Sequence, residues 1–516
     1  MKTDVGVWGM RLGQRWLAAG VALALTFALA QNATAQANWP QFRGAESRGV
    51  GTSDRLPLVW GPETNVAWRA EVPGRGWSSP IVWGKRVFLT TAVSEGELEA
   101  PKKGLYFGGD RPEPPKQRQR WMALCLDRDS GKTLWSTELH GAVPTTPIHL
   151  KNSYASETPV TDGKHVYVLF GSVGLFCLDL QGKVIWSQPL QPHKMRYGWG
   201  TSASPVLHEG RVYVVNDNEE ASTLSAFDAK TGKILWQVPR DEPSNFSTPY
   251  LWKNPKRTEL VVPGRTQIRS YDLTGKVLWQ LQGPSTIVIP TPFEAEGLLY
   301  VGAGYVGDNL KLNKPVYAIR PGGVGDLTLA EGARESATIA WMEANAAPYN
   351  PSPLAYDGRF YVLWDFGFLS CRDARSGREL YGKQRIKVDG TAGFTASPWA
   401  YRGRVFCLSE DGDTYVVNSR DPYQLERVNA LGELCMATPA IAGTDSSSAP
   451  PRASTACAKI VSRSYKIPLG PRRLTVSLWP CYVSGVLCGW ESSSSAESSP
   501  GWPMTATQPR PRPTTP

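Results

Sequence analysis

Short apolar runs alternating with polar residues, four to a unit and separated by glycine turns, recur along most of this chain. SPVLHEGRVYVVN…STLSAFDAKTGKILW (204–236) repeats the pattern of TPVTDGKHVYVLF…GLFCLDLQGKVIW (158–186) and of SPLAYDGRFYVLW…GFLSCRDARSGRELY (352–381). Each unit opens with Ser/Thr-Pro and an apolar strand and turns at Gly-Lys/Arg or Gly-Arg. A strand of the VYVLF type and a third strand ending in Asp follow, and a tight turn leads to a last strand ending in Trp or Tyr. Period-2 alternation bounded by turn glycines predicts four hairpin-linked strands per unit.

The units can be counted. Ser/Thr-Pro starts stand at Ser79, Thr158, Ser204, Thr248, Thr291, Ser352, Ser397 and Thr438, with most intervals 41 to 46 residues. Insertions over 94–120 and 303–338 account for the two long intervals. A four-strand unit at this period is a propeller blade, which cannot cover both of its faces alone and stacks on its neighbours around an axis. Proline suits the start of the innermost strand, an edge lining the axial channel, where a missing N–H breaks no ladder bond. Aromatic strand ends fall at Trp68, Trp135, Trp186, Trp236, Trp279, Trp341 and Tyr381, with a degenerate end near Leu425. Each is expected to pack into the neighbouring blade. Trp68 precedes the first Ser-Pro, so its segment NVAWRAEV is expected to complete the last blade. The expectation is an all-β, eight-bladed β-propeller of four-stranded antiparallel blades, closed by the N-terminal strand, with the last blade incomplete.

That incompleteness follows from composition. After Gly443 two further strands are due, and the chain instead reads DSSSAPPRASTACAK over 445–459. Permitted codons for this stretch, read with a two-base shift, give LLIRTASRLYCLRQ, which contains both missing strands. TCN serine codons force the first three shifted residues to be apolar. We therefore expect 445–516 to be a disordered tail translated out of the ancestral frame, with a genuine Pro/Ser-rich tail as the alternative.

The remaining composition narrows the setting. Lys2, Arg11 and Arg15 precede an apolar run from Trp16 to Ala30 and the small residues Ala33-Thr34-Ala35, the layout of an export signal over 1–35. The propeller is expected over 36–444, in the periplasm or secreted, with no transmembrane segment after signal removal. Of the formal charge of +10, the two ends carry most, leaving +3 for the middle, and no long Lys/Arg run supports nucleic-acid binding. Cys125, Cys177 and Cys371 hold the same slot in successive units, as small core residues would, beyond disulfide reach of one another.

At the turn Ala226, Asp228, Gly232 and Trp236, varied as Cys125, Asp127, Gly131 and Trp135 and as Cys371, Asp373, Gly377 and Tyr381, the sequence resembles the quinoprotein-like, or PQQ-like repeat, propeller family. The resemblance covers about 38–444, and NWPQFRG and GLYFGGDRPEP resemble an exported bacterial branch. It implies one of two activities. Some members are quinone-dependent dehydrogenases, others non-catalytic scaffolds such as the propeller lipoprotein of the outer-membrane β-barrel assembly machinery. A dehydrogenase would use an adjacent cysteine pair, a calcium on carboxylate and amide oxygens, and a catalytic aspartate in the axial funnel. No two of the eight cysteines are adjacent, and the cluster Asp217, Asn218, Glu219 and Glu220 falls at a hairpin expected to be solvated.

No other chemistry is nominated. The five histidines lack HxxxH or HExxH spacing, His165 and His208 are expected on exposed turns, and no nucleophile elbow or phosphate loop occurs. What recurs before the inner strands is a polar or aromatic residue: Trp77 and Ser78, Asn152 and Tyr154, Trp199 and Thr201, Asn245, Tyr349 and Asn350, and Phe394. In a propeller these loops converge on one axial mouth. The expectation is a binding or assembly scaffold for an envelope protein, a peptide or a saccharide, with no catalytic residue or metal site. The alternative is a quinoprotein alcohol or sugar dehydrogenase holding PQQ and calcium.

Overall fold

The computed structural model describes residues 38–104, 113–305, 314–390 and 393–443. The expected export signal and the expected out-of-frame tail lie outside the described residues. Seven antiparallel blades follow one another along the chain, each built on four hairpin-linked strands that cover 81–142, 160–189, 206–239, 250–282, 293–343, 354–385 and 399–430. Position within the blade explains the sequence pattern. A middle strand such as His165–Phe170 is sandwiched between neighbouring blades and is buried on both faces past its first residue. An outer strand such as Val184–Pro189 alternates between exposed and half-buried. Middle strands therefore read as unbroken apolar runs and outer strands as alternating ones.

Seven complete sheets, rather than the expected eight, stand among the described residues. The eighth position is occupied differently. Thr438 and Ala440 supply its innermost segment, and 66–72 carry no paired strand among the described residues, which corrects the expectation of a strand at NVAWRAEV. Trp68 nevertheless takes the place of an outer-strand aromatic. Its Nε1 donates to the Arg128 carbonyl (2.7 Å) and its ring lies over Gly131 of the first blade. Trp135 does the same over Gly182 with Leu180 O (3.0 Å), and Trp186 over Gly232 with Ala229 O (3.0 Å). Trp236 over Gly275 and Trp341 over Gly377 continue the series.

The insertion within 303–338 has a structural task. Gly325–Asp326 pairs in parallel with the outer strand Val277–Gln282 of the fourth blade, adding a fifth strand. This cover buries Trp279 completely, and its Nε1 turns inward to Glu259 Oε2 (2.7 Å) instead of docking on a neighbour's turn.

The segment NWPQFRG and the residues after it plug the axis opposite the Ser/Thr-Pro starts. Trp39 bridges Val82 of the first blade, and Pro40 O accepts from Thr161 N of the second (3.0 Å). Arg43 donates to Pro353 O of the sixth (2.6 Å), Arg48 pairs with Glu294 of the fifth (2.6 Å), and Gly49 and Gly51 bracket Ala400 of the seventh. Onward, Trp60 stacks on Phe406 at 5.7 Å and Asn429 donates to Leu58 O (3.1 Å), which carries the chain from the seventh blade toward Trp68 and the first. A single apolar cluster spans these two blades, including Val87, Leu124, Phe406, Val416 and Ile441. No helix among the described residues is long and apolar enough to cross a membrane.

Candidate ligand site at the axial mouth

The eight Ser/Thr residues before proline form a ring around the axis. Ser79 N donates to Thr158 Oγ1 (3.0 Å), Thr158 N to Ser204 Oγ (2.9 Å) and Ser204 N to Thr248 Oγ1 (3.0 Å). On the far side Thr291 N donates to Ser352 Oγ (3.0 Å), Ser352 N to Ser397 Oγ (2.9 Å) and Ser397 N to Thr438 Oγ1 (2.9 Å). The repeated dipeptide has a physical reason. Six of the eight edge-strand amides, which would otherwise face the channel unpaired, find their acceptor in the next blade's hydroxyl, and proline follows where no donor is needed. All eight hydroxyl residues border one cavity of about 230 Å³, with Phe42 of the plug also in its wall.

Of the ten residues expected at this mouth, the structure brings five to the cavity: Trp77, Asn152, Trp199, Tyr349 and Asn350. The other five are turned to structural work. Ser78 lies against Thr90, accepting its N–H at 3.2 Å, and Tyr154 donates to Thr146 O (2.6 Å) beside Trp121. Thr201 donates to Glu157 (2.6 Å), Asn245 caps the amides of Phe246 and Ser247, and Phe394 is 1% exposed in the core of the sixth and seventh blades. The recurrence of asparagine before inner strands is in part a turn device. Asn152 Oδ1 accepts from Ser153 N (2.8 Å) just as Asn245 Oδ1 accepts from Phe246 N (2.8 Å).

Sequence reasoning missed the groups that set the electrostatics. Lys151, on the cavity wall, donates to Glu410 Oε1 (2.5 Å) and to Gly104 O (2.6 Å). Glu410 is buried and also accepts from Thr395 Oγ1 (2.6 Å) and Gly104 N (2.7 Å). With Lys103 paired to Asp411 (2.5 Å), the long hairpin of the first blade is tied to a turn of the seventh. His149 accepts the Lys151 amide at Nδ1 (3.1 Å), which leaves its ring proton on Nε2. Asp365 accepts from Tyr349 N (2.9 Å), Asn350 N (2.9 Å) and Asn350 Nδ2 (2.7 Å) and so fixes both mouth residues. Burial pushes its carboxyl above the usual range against those hydrogen bonds. Burial also raises the Tyr349 phenol, with Tyr305 and Asp365 adding to the effect.

The expected solvated cluster at 217–220 is corrected in part. Asp217 is buried and holds Arg240 through two bonds (2.7 and 3.0 Å), while Glu219 and Glu220 are exposed. His208 is likewise not on an exposed turn. It lines a second cavity, of about 170 Å³, between the plug and the third to fifth blades.

A calcium-held quinone places demands on these walls that their chemistry does not meet. Among the described residues no carboxylate lines the mouth cavity, whose ionisable wall groups are Lys151, His149 and the Tyr349 phenol. A calcium ion takes six to eight oxygen ligands, carboxylates prominent among them. The described cysteines, Cys125, Cys177, Cys371, Cys407 and Cys435, are free and buried in the blades. The donor set does not fit that group.

A family model described as outer membrane protein assembly factor BamB matches residues 122–287. Quinohemoprotein alcohol dehydrogenase ADH IIB of Pseudomonas putida is 26% identical over 277 residues, 46% of this chain and 36% of that protein. Outer membrane protein assembly factor BamB of Burkholderia pseudomallei is 24% identical over 249 residues, 42% of this chain and 62% of that protein. The matches thus span about a third and under two thirds of these relatives' own lengths. Among solved structures, quinohemoprotein alcohol dehydrogenase ADHIIG of Pseudomonas putida HK5 aligns with a TM-score of 0.47 at 13% identity, over 80% of this chain and 75% of that one.

Proposed function

We propose that this chain, which belongs to the PQQ-like repeat β-propellers, is an exported binding module of the cell envelope that acts without catalysis of its own. One observation carries the reading. The axial cavity has aromatic and hydroxyl walls, its lysine is already neutralised by Glu410, and among the described residues no carboxylate lines it to serve as base, nucleophile or calcium ligand. At about 230 Å³ it lies below the 300–1,000 Å³ of ordinary small-molecule sites. A peptide side chain or a single saccharide ring fits that scale, against Trp77, Trp199, Phe246 and Tyr349. The family match to an assembly factor supports a protein partner in the envelope.

The second reading, a quinoprotein dehydrogenase, rests on the likeness to the Pseudomonas putida enzyme. Incubating purified full-length chain with PQQ and calcium separates the two. The proposal expects no retained quinone absorbance and no dye-linked oxidation of alcohols or sugars. It also expects capture of an envelope component that is lost with Trp199→Ala. A retained quinone spectrum with dye-linked oxidation contradicts it.

A further inference from the structure

The outer strand of the sixth blade, Glu379–Arg385, differs from the outer strands of the second and third. Those end in Pro189 and Pro239, which close their edges to further pairing. The sixth has no proline and carries Lys383 and Arg385 on alternate, outward positions, with exposed Lys387 two residues on. Of the other cations of this blade, Arg372 pairs with Glu343 and Glu379, Arg375 with Glu296 and Arg359 with Asp421, while Arg378 on the preceding turn has no ion pair among the described residues. Lys383, Arg385 and Lys387 make no ion pair among the described residues. Two of them rest instead on aromatic faces, Lys383 Nζ at 3.6 Å from the Trp364 ring centroid and Arg385 Cζ at 4.8 Å from that of Phe368. Phe366, at the tip of the hairpin, is 48% exposed, and Arg385 donates to its carbonyl (2.6 Å). Lys314 of the fifth blade adds to the field, lowering the Lys383 ammonium together with burial.

The fourth blade shows what such an edge can hold. There an extended piece of the same chain, Gly325–Asp326, lies parallel along the outer strand, and Leu327 N donates to Gln280 O (2.8 Å). On this fold, then, an outer edge accepts an added strand. Side chains two apart on a strand are about 6.8 Å apart, the same spacing that acidic residues at every second position of an extended peptide would have. Cations on an edge repel a second copy of the same edge and match an acidic one.

We propose that the outer edge of the sixth blade takes up an acidic, extended peptide as an added strand, with Lys383, Arg385 and Lys387 pairing its alternate carboxylates. This site is separate from the axial mouth. The backbone ladder supplies the pairing, the cations choose the sign of the partner, and Phe366 offers an apolar end contact.

The test is fluorescence anisotropy of full-length chain with a dye-labelled alternating Glu-Val decapeptide at low and high salt. The expected result is saturable binding that weakens with salt, falls at least tenfold with Lys383→Glu plus Arg385→Glu, and falls similarly when alternate peptide amides are N-methylated. Circular dichroism melting checks that the variant is folded. If it is not, Lys383→Gln plus Arg385→Gln replaces it and is expected to weaken binding at least threefold. Trp199→Ala is expected to leave this binding unchanged, so failure here and failure of the mouth reading are read separately. Equal binding by the charge variants overturns the proposal. So does equal binding by the N-methylated peptide or by polygalacturonate, which marks a general polyanion patch, and so does loss with Trp199→Ala, which moves the peptide to the mouth.

Discussion

Replacing Gly131 by alanine tests whether Trp68 closes the ring from outside the seven complete blades. Gly131 has φ +70°, and a Cβ built there would lie 2.2 Å from Cε3 of Trp68. The left-handed backbone costs an L-residue about 1–2 kcal/mol, and forcing the indole away adds about 1–3 kcal/mol of overpacking. Gly131→Ala is therefore expected to lose about 2–5 kcal/mol. Gly210 provides the control, since its φ is +74° and no atom lies within 4 Å of an added Cβ. Gly210→Ala should show the backbone cost alone, about 1–2 kcal/mol. In a Trp68→Ala background the steric part has nothing to strike. The cycle should then show a coupling of about 1–3 kcal/mol between positions 68 and 131, as expected of residues in contact. The assay is equilibrium urea unfolding followed by far-UV circular dichroism, because the chain's 20 tryptophans blur a fluorescence signal. The reasoning fails if Gly131→Ala costs no more than Gly210→Ala, or if removing Trp68 leaves the cost unchanged.

Ser204→Ala removes the acceptor of the Thr158 amide and should destabilise by about 1–3 kcal/mol, the penalty for an unpaired buried donor, whereas Ser204→Thr copies its ring neighbours and should be close to neutral in the same titration. His208 is held below its ordinary pKa by burial and by Lys253 and Arg211, against Glu209. The folded state thus binds its proton more weakly than the unfolded chain, and stability present above about pH 6.5 is lost as the pH falls through it. Melting curves of His208→Gln should accordingly show a smaller loss than the parent on acidification from about pH 7.5 to about pH 5.5, and equal losses would contradict this. Resequencing the gene across codons 440–460 should give codons for 445–459 whose shifted reading supplies two apolar strands, and a copy restored to that frame should melt higher. Codons without such a reading would leave the Pro/Ser-rich tail as the explanation.

Much of the fold was readable because a blade is a local object. Hairpin turns, Ser/Thr-Pro and strand-end tryptophans all lie within some 45 residues, and Trp68 stood out as an aromatic end without a blade before it. The plug was not readable, since Arg43 meets Pro353 across 310 residues through irregular backbone that no periodicity marks. The mouth was half readable. Trp77, Trp199 and Tyr349 before inner strands do reach the cavity while Tyr154 turns into the blade, and asparagine at equivalent places serves the turn as well as any ligand. Lys151 and Glu410, 259 residues apart, meet only because ring closure brings the first and seventh blades to either side of the eighth position. The seven-sheet outcome has the same origin: Thr438 completes the hydroxyl ring locally, while a full eighth sheet needs strands from segments distant in sequence.

An experimental structure of the full-length chain at a resolution that places hydroxyl groups tests the central claim most directly. The account predicts one axial ring of eight Ser/Thr residues, with Thr438 accepting the Ser397 amide and Trp68 seated over Gly131. A ring of seven, with Thr438 outside it and Trp68 paired elsewhere, would contradict it.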